Sequence, residues 1–280
     1  MNNKGEIMGR KMTCFLSILL ILFVISFKSN AQAGTIMLGT KEWYLQWDSA
    51  FDKAVAEALV NMLNTDPSTS GYNWSATIKP GFGYLAGPLV GYQTDDNKWS
   101  FSAALMFINS FKSETKWAAS GVEFKSDTEM KRNDYDLSVS YMLFDWMKIF
   151  AGYKYVKSTY DVTWESDGSD FYKAEMKSNM PTAGVAFAKS LSDKIILGLQ
   201  VGAMYIIPKY KLDDKKLKAD NSYGLTLEPN ATYIFYEHFM LQAGVRYQVY
   251  RVKFNDTDWG MKKSKNDQML GLTITAVFLW

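Results

Sequence analysis

The chain is poor in the residues on which much protein chemistry is built. It has one Cys and one His in 280 residues. That excludes a disulfide framework and a multi-ligand zinc site, and leaves little room for a Cys-His or Ser-His nucleophile. It lacks a charge of one sign: 31 basic residues face 29 acidic ones, so it is not a polybasic nucleic-acid binder. Beyond residue 33 it lacks any run of 18 apolar residues, which excludes a transmembrane helix. It also lacks a Gly-rich phosphate loop and a nucleophile elbow. No cofactor, metal or nucleic-acid partner is expected. What it has in excess is aromatic rings, with 17 Tyr, 17 Phe and 9 Trp.

The first residues read as an address. Lys4, Arg10 and Lys11 precede the apolar stretch Phe15 to Phe27, followed by Ala31-Gln32-Ala33. A basic start, a short apolar run and a small-x-small site make a secretory leader, and the run is too short to cross about 30 Å of hydrocarbon as a helix. The expected organisation is a removed leader, 1–33, and one domain, 34–280. Cleavage deletes Lys4, Arg10, Lys11 and Lys28 against Glu6, taking the net charge from +2 to −1. Cys14 leaves with it, so the mature chain has no thiol.

The remainder alternates with period two. In 194–210 the odd positions are Ile195, Leu197, Leu199, Val201, Ala203, Tyr205 and Ile207, against Gly198, Gln200 and Gly202. The segments 134–143, 221–235, 238–249 and 267–280 behave alike, and Trp99–Phe111 places Ser100, Ser102 and Ser110 on its small face. Successive strand side chains point to opposite faces, so each segment carries one greasy face and one small or polar one. Alternation alone also fits a soluble sandwich. Three features favour a membrane barrel: a second face rich in Gly, Ser and Thr, strands longer than the usual 5 to 6 or so residues, and aromatics near segment ends (Trp43, Trp47, Trp74, Trp99, Trp146, Trp280).

Short polar turns at 94–98, 144–147, 191–194 and 236–238 alternate with longer connections at 49–72, 112–133, 166–170, 212–220 and 255–266. Ten strands are expected between them: 35–48, 73–93, 98–112, 132–144, 147–165, 171–190, 194–211, 220–236, 238–254 and 267–280. The fold class is therefore all-β, a closed antiparallel up-and-down transmembrane barrel with one short loop helix. The first strand is the weakest member, because Lys41 and Glu42 are adjacent and one of them would face lipid.

The last strand carries a resemblance. Hydrophobic residues at 270, 272, 274, 276 and 278, with Trp280 at the end, are similar to the C-terminal assembly signal of bacterial outer-membrane β-barrels. Leu272, Ile274, Phe278 and Trp280 are its specific residues here. The resemblance implies an outer-membrane location, insertion by the outer-membrane assembly machinery, and contact with outer-membrane lipid and lipopolysaccharide. It says little about activity. Enzymes of this class pair a histidine with aspartates or a serine at the outward rim, whereas His238 lies beside a short turn, so no catalytic residue is expected.

Pairing the hairpins predicts inward ion pairs. A turn centred on Glu237 sets Glu228 opposite Arg246, and one centred near 145 sets Asp136 opposite Lys154. Lys79 is expected as a further inward charge. Such pairs hold register. Filling a narrow lumen is favoured over lining a wide channel, because ten staves enclose little more than their own side chains. Ser49–Leu63 breaks the period: Phe51, Val55, Ala58, Leu59 and Met62 recur at helical spacing behind a Ser49 cap. It is either a loop helix packed on the rim or a lid whose residues Phe51, Val55, Leu59 and Met62 cover the mouth. The runs at 213–216 and 262–265 are expected at loop tips, where basic residues could meet lipopolysaccharide phosphates. The expected role is a non-enzymatic, porin-like small-solute channel. The alternatives are an adhesion barrel acting through loops 49–72 and 112–133, or a soluble lipocalin-like periplasmic binder.

Overall fold

The computed structural model describes residues 34–280 except 167, 214, 257–260, 262 and 263. The expected leader therefore lies outside the described residues, as do Lys262 and Lys263 of the basic run. Among the described residues the chain is one antiparallel sheet closed on itself, with one α-helix and one short 3₁₀ turn.

The strands are β1 (Gly34–Asp48), β2 (Ser75–Ile78), β3 (Gly81–Thr94), β4 (Trp99–Met106), β5 (Ile108–Ala119), β6 (Val122–Phe144) and β7 (Met147–Trp164). They continue as β8 (Asp170–Ser190), β9 (Ile195–Leu212), β10 (Lys215–Leu217), β11 (Ala219–Asp220), β12 (Ser222–Tyr236), β13 (Phe239–Phe254) and β14 (Ser264–Leu279). Helix α1 (Ala50–Thr65) lies between β1 and β2, capped by Ser49, whose Oγ accepts from the Asp52 N–H at 3.2 Å.

These are fourteen segments, more than the ten expected, and the excess has a local cause in each case. β2 and β3 are one stave broken at Lys79–Pro80. Across the break, Ile78 faces Thr115 while Phe82 faces Lys112, so the stave holds one extra residue at a proline that cannot donate to the ladder. β4 and β5 are likewise one stave bulged at Phe107, since Leu89 faces Ala104 but Ala86 faces Ile108. β10 and β11 are short additions to β9 and β13 in an outward connection. Ten staves close the ring, with β1 hydrogen-bonded to β3 on one side and to β14 on the other. The Ile36 and Trp280 backbones exchange both bonds, at 3.0 and 2.9 Å.

The bulge at Phe107 inverts the alternation along its stave. Ala104 and Met106 are buried before it, and Phe111, Thr115 and Trp117 are buried after it. The expected loop 112–133 is thus mostly strand: β5 and β6 run on as a hairpin around Ser120 and Gly121, both at positive φ (47° and 84°), as a tight hairpin turn requires. Its dense charges hid the period.

The outward surface has a belt and a cuff. On β9 the belt runs from Ile195 to Ile207, about 40 Å along the strand and so about 30 Å along the axis at a tilt of about 40°. That matches a bilayer core. Above it the polarity turns inside out. Lys209, Lys211, Arg251 and Lys253 point outward and are exposed, while their neighbours Tyr210, Leu212, Val252 and Phe254 are buried inside. Lipid solvates the belt and water the cuff, so the buried face changes from small and polar to apolar. Trp99, Trp146 and Trp280 are exposed near the short turns, as an interfacial girdle should be. Trp43 and Trp47 are not girdle residues: both are fully buried in the lumen, because β1 presents its odd positions inward.

Candidate functional site

The lumen has three levels. The level nearest the short turns is lined by small inward residues, among them Gly91, Ser102, Ser138, Gly152, Gly184 and Gly202, with Phe150 crossing above the last two. A Cβ built at Gly184 would sit 2.5 Å from the Phe150 ring.

The middle level is charged. Asp136 and Lys154 face each other in register, as expected, but Lys154 Nζ lies 3.4 Å from Asp136 and 2.7 Å from Asp134. Asp134 also accepts two bonds from Arg132, at 2.7 and 3.0 Å. Arg132 is fully buried and lies over the Trp47 ring, 5.1 Å from its centroid. The sequence reading missed Arg132 because its strand was begun at that residue. Glu228 and Arg246 also meet as expected, at 3.5 Å, and Thr273 donates to Glu228 at 2.8 Å. Arg246 covers Trp43 at 5.1 Å. Lys41 points into the same layer, within electrostatic reach of Glu228 and Asp136. Its neighbour Glu42 faces outward and accepts from the Tyr44 hydroxyl at 2.8 Å, which resolves the awkward pair on β1. Lys79 does not join the lumen. It is exposed on the outer wall, 2.8 Å from Glu114, because the break at Lys79–Pro80 and the inverted parity of β5 turn both side chains out.

The third level is an apolar plug. Helix α1 enters the mouth with Ala50, Phe51, Ala54, Val55 and Ala58 buried. Phe51 stacks parallel on Tyr210 at 5.3 Å and touches Tyr160 at 5.2 Å. Of the four expected lid residues, Phe51 and Val55 are buried, Leu59 packs against the edge of the core, and Met62 is exposed. The helix thus inserts by its first half and leaves by its second. Met106, Met130, Met176, Met180, Met204 and Met269 fill the space around it. Thioether side chains pack irregular gaps and repack at little cost.

An acidic latch fastens the helix. Asp267, on β14 above the belt, accepts from Trp47 Nε1 at 2.6 Å and from the Ala50 N–H at 3.3 Å. Asp52 is buried beside it, and its Oδ1 has no hydrogen-bond partner. Burial, and then the neighbouring Asp267 charge, push the Asp52 carboxyl up to about 7. Burial pushes Asp267 up to about 6, against the pull of its Trp47 bond. Outside the core, Lys53 pairs with Asp48 at 2.6 Å, and Lys265 pairs with Glu57 of the helix. The sequence reading missed this latch, since an isolated Asp in a helix and one in a strand carry no shared spacing.

His238 packs on Phe278 at the short-turn end, and no group of three or more metal-ligating side chains occurs among the described residues. Leu272, Ile274, Phe278 and Trp280 all face outward. No helix of the described residues is long and apolar enough to cross a membrane.

A closed ring of strands with an apolar waist is a transmembrane β-barrel, and its compartment is the bacterial outer membrane. No family model matches the chain, and no curated protein matches it in sequence. Among solved structures it is similar to the outer membrane protease OmpT from Escherichia coli, at 11% identity and a TM-score of 0.45 over 88% of this chain and 94% of that one. Neisserial surface protein A is similar at 8% identity and a TM-score of 0.37, covering 88% and 99% of the two chains. The outer membrane protein OprG from Pseudomonas aeruginosa is similar at 13% identity and a TM-score of 0.37, covering 89% and 96%.

Proposed function

We propose that the protein is a non-enzymatic, porin-like conduit for small solutes, closed by α1. The observation that carries this is the seating of α1: a short helix fills the mouth above a charged layer and a level of small residues, with an apolar first half and an entry held by Asp267, the Lys53–Asp48 pair and the Lys265–Glu57 pair. A purely apolar plug would hold no buried polar group that displacement relieves. This one keeps Asp52 buried with an unmatched oxygen, at a cost of about 1–3 kcal/mol that displacement would return.

The test is conductance in planar bilayers. The mature chain has no cysteine, so Glu57→Cys with Lys265→Cys, joined by a short bis-thiol linker, ties α1 to β14. The tied barrel stays silent, and a variant lacking 50–65 conducts steadily. A folded deletion variant that passes no current defeats the proposal. A second reading, an interaction surface at the outward tip, is favoured by exposed Val122 and Phe124 on the β5–β6 hairpin. Whole-cell binding that disappears when 118–124 is trimmed would select it.

A further inference from the structure

On the outer wall, Lys157 of β7 lies directly opposite Lys177 of β8, which lies directly opposite Lys209 of β9. All three belong to the outward parity of their strands. Directly opposed residues on neighbouring strands are about 5 Å apart, and like charges so placed destabilise a sheet. Lipid-facing alternation does not require the row, since Asn or Thr would serve the wall equally well. One carboxylate answers it: Glu175, at 3.3 Å from Lys157 and 2.7 Å from Lys177. Lys209 makes no ion pair among the described residues. Lys211 faces Glu175 in register from the next outward position of β9, and Lys216 lies opposite Lys211, so the surplus of positive charge extends upward.

The height of the row is informative. Immediately below it come Tyr155, Asn179 and Ile207, themselves in register, and then Tyr153 opposite Pro181. These form the upper edge of the apolar belt. The row therefore stands where lipid headgroups begin, on the side away from the short turns and the joined ends of the ring. That side is the cell exterior in barrels of this design. A ligand that fits must bring anionic groups to one height and hydrocarbon directly beneath it.

We infer that Lys157, Lys177 and Lys209 form a binding site for a phosphorylated glycolipid of the outer leaflet, with its phosphates on the lysine row and its acyl chains against Tyr153, Pro181 and Ile207. The bound phosphates supply the negative charge that the row lacks, and Glu175 holds two of the lysines in place.

The experiment uses the purified barrel in nanodiscs with three probes: lipid A carrying its phosphates, the dephosphorylated form, and inorganic phosphate. Retained lipid is counted by native mass spectrometry. Each lysine beside an anionic headgroup contributes about fivefold. The triple variant Lys157→Gln, Lys177→Gln, Lys209→Gln should thus bind lipid A about a hundredfold more weakly. The corresponding Arg triple should bind as the native barrel does, and dephosphorylated lipid A should not distinguish the variants. Equal retention of lipid A by the native barrel and the Gln triple overturns the inference. So does equal binding of the dephosphorylated form, which would leave only the apolar wall, or displacement of lipid A by inorganic phosphate, which would make this a free-anion site. Folding is checked by the heat-dependent gel shift. If the triple fails that check, Lys209→Gln alone reads the same effect at about fivefold.

Discussion

Replacing Asp52 by Asn should hold the barrel shut and weaken the pH response expected of the native protein. In the closed state Asp52 is 4% exposed and its carboxyl is pushed up to about 7. With α1 withdrawn into water it would return to about 3.8. The closed state thus holds more protons between those values, and closure weakens as pH rises from about 4 to about 7, then levels off. Three units of displacement amount to about 4 kcal/mol, or about tenfold in the open-to-closed ratio per pH unit over the window. A carboxylate in the first turn of a helix gains about 0.3–1 kcal/mol from the helix dipole, too little to reverse the sign. Asn keeps the shape and carries no charge at any pH. Single-channel open probability between pH 4 and 8 is the assay: it should climb steeply for the native barrel and stay lower, with a shallower rise that belongs to Asp267, for Asp52→Asn. A native barrel that opens on acidification, or a variant that keeps the native slope, refutes the reasoning.

Other positions yield sharp expectations. Asp134→Asn strips the shared partner from fully buried Arg132 and nearly buried Lys154, and should cost about 3–5 kcal/mol in urea unfolding from lipid vesicles. Gly184→Val places a Cβ 2.2 Å from the Val201 carbonyl oxygen, a backbone atom that no rotamer change can clear. Overpacking of about 1–3 kcal/mol should appear as a lower temperature for the gel shift. Trp280→Ala should slow insertion by purified assembly machinery, yet leave the heat stability of detergent-folded barrel near native, because its seam bonds to Ile36 are made by backbone.

The belt was legible in the sequence because lipid enforces a strict rule: every second residue must be apolar, and a slip of one residue reverses all of them. That rule locates the staves and pairs Glu228 with Arg246 and Asp136 with Lys154 from the sequence alone. The cuff obeys the opposite rule, with water outside and the plug inside. Alternation still holds there, but its sense is reversed, so Lys209 and Tyr210 exchange the roles that Ile207 and Gly202 have below. Nearness to a segment end assigned Trp43 and Trp47 to the girdle, and reading one sense throughout ended β5 too early. Bulges were the second obstacle. A single extra residue at Phe107, and another beside Pro80, leaves no compositional mark beyond the proline, yet it turned Lys79 to the outer wall. The latch was the least visible part. Asp52 and Asp267 are 215 residues apart in the chain and meet only because the ring brings β14 back beside β1.

That return has a temporal consequence. β1 leaves the ribosome first and β14 last, yet each supplies the other's missing edge. Until the final strand exists, the earliest one has nowhere to dock on that flank, so the cylinder cannot be completed piecemeal during synthesis. The polypeptide must be kept from premature self-association until both ends can be presented together, and a chain truncated within β14 would yield a product that never seals.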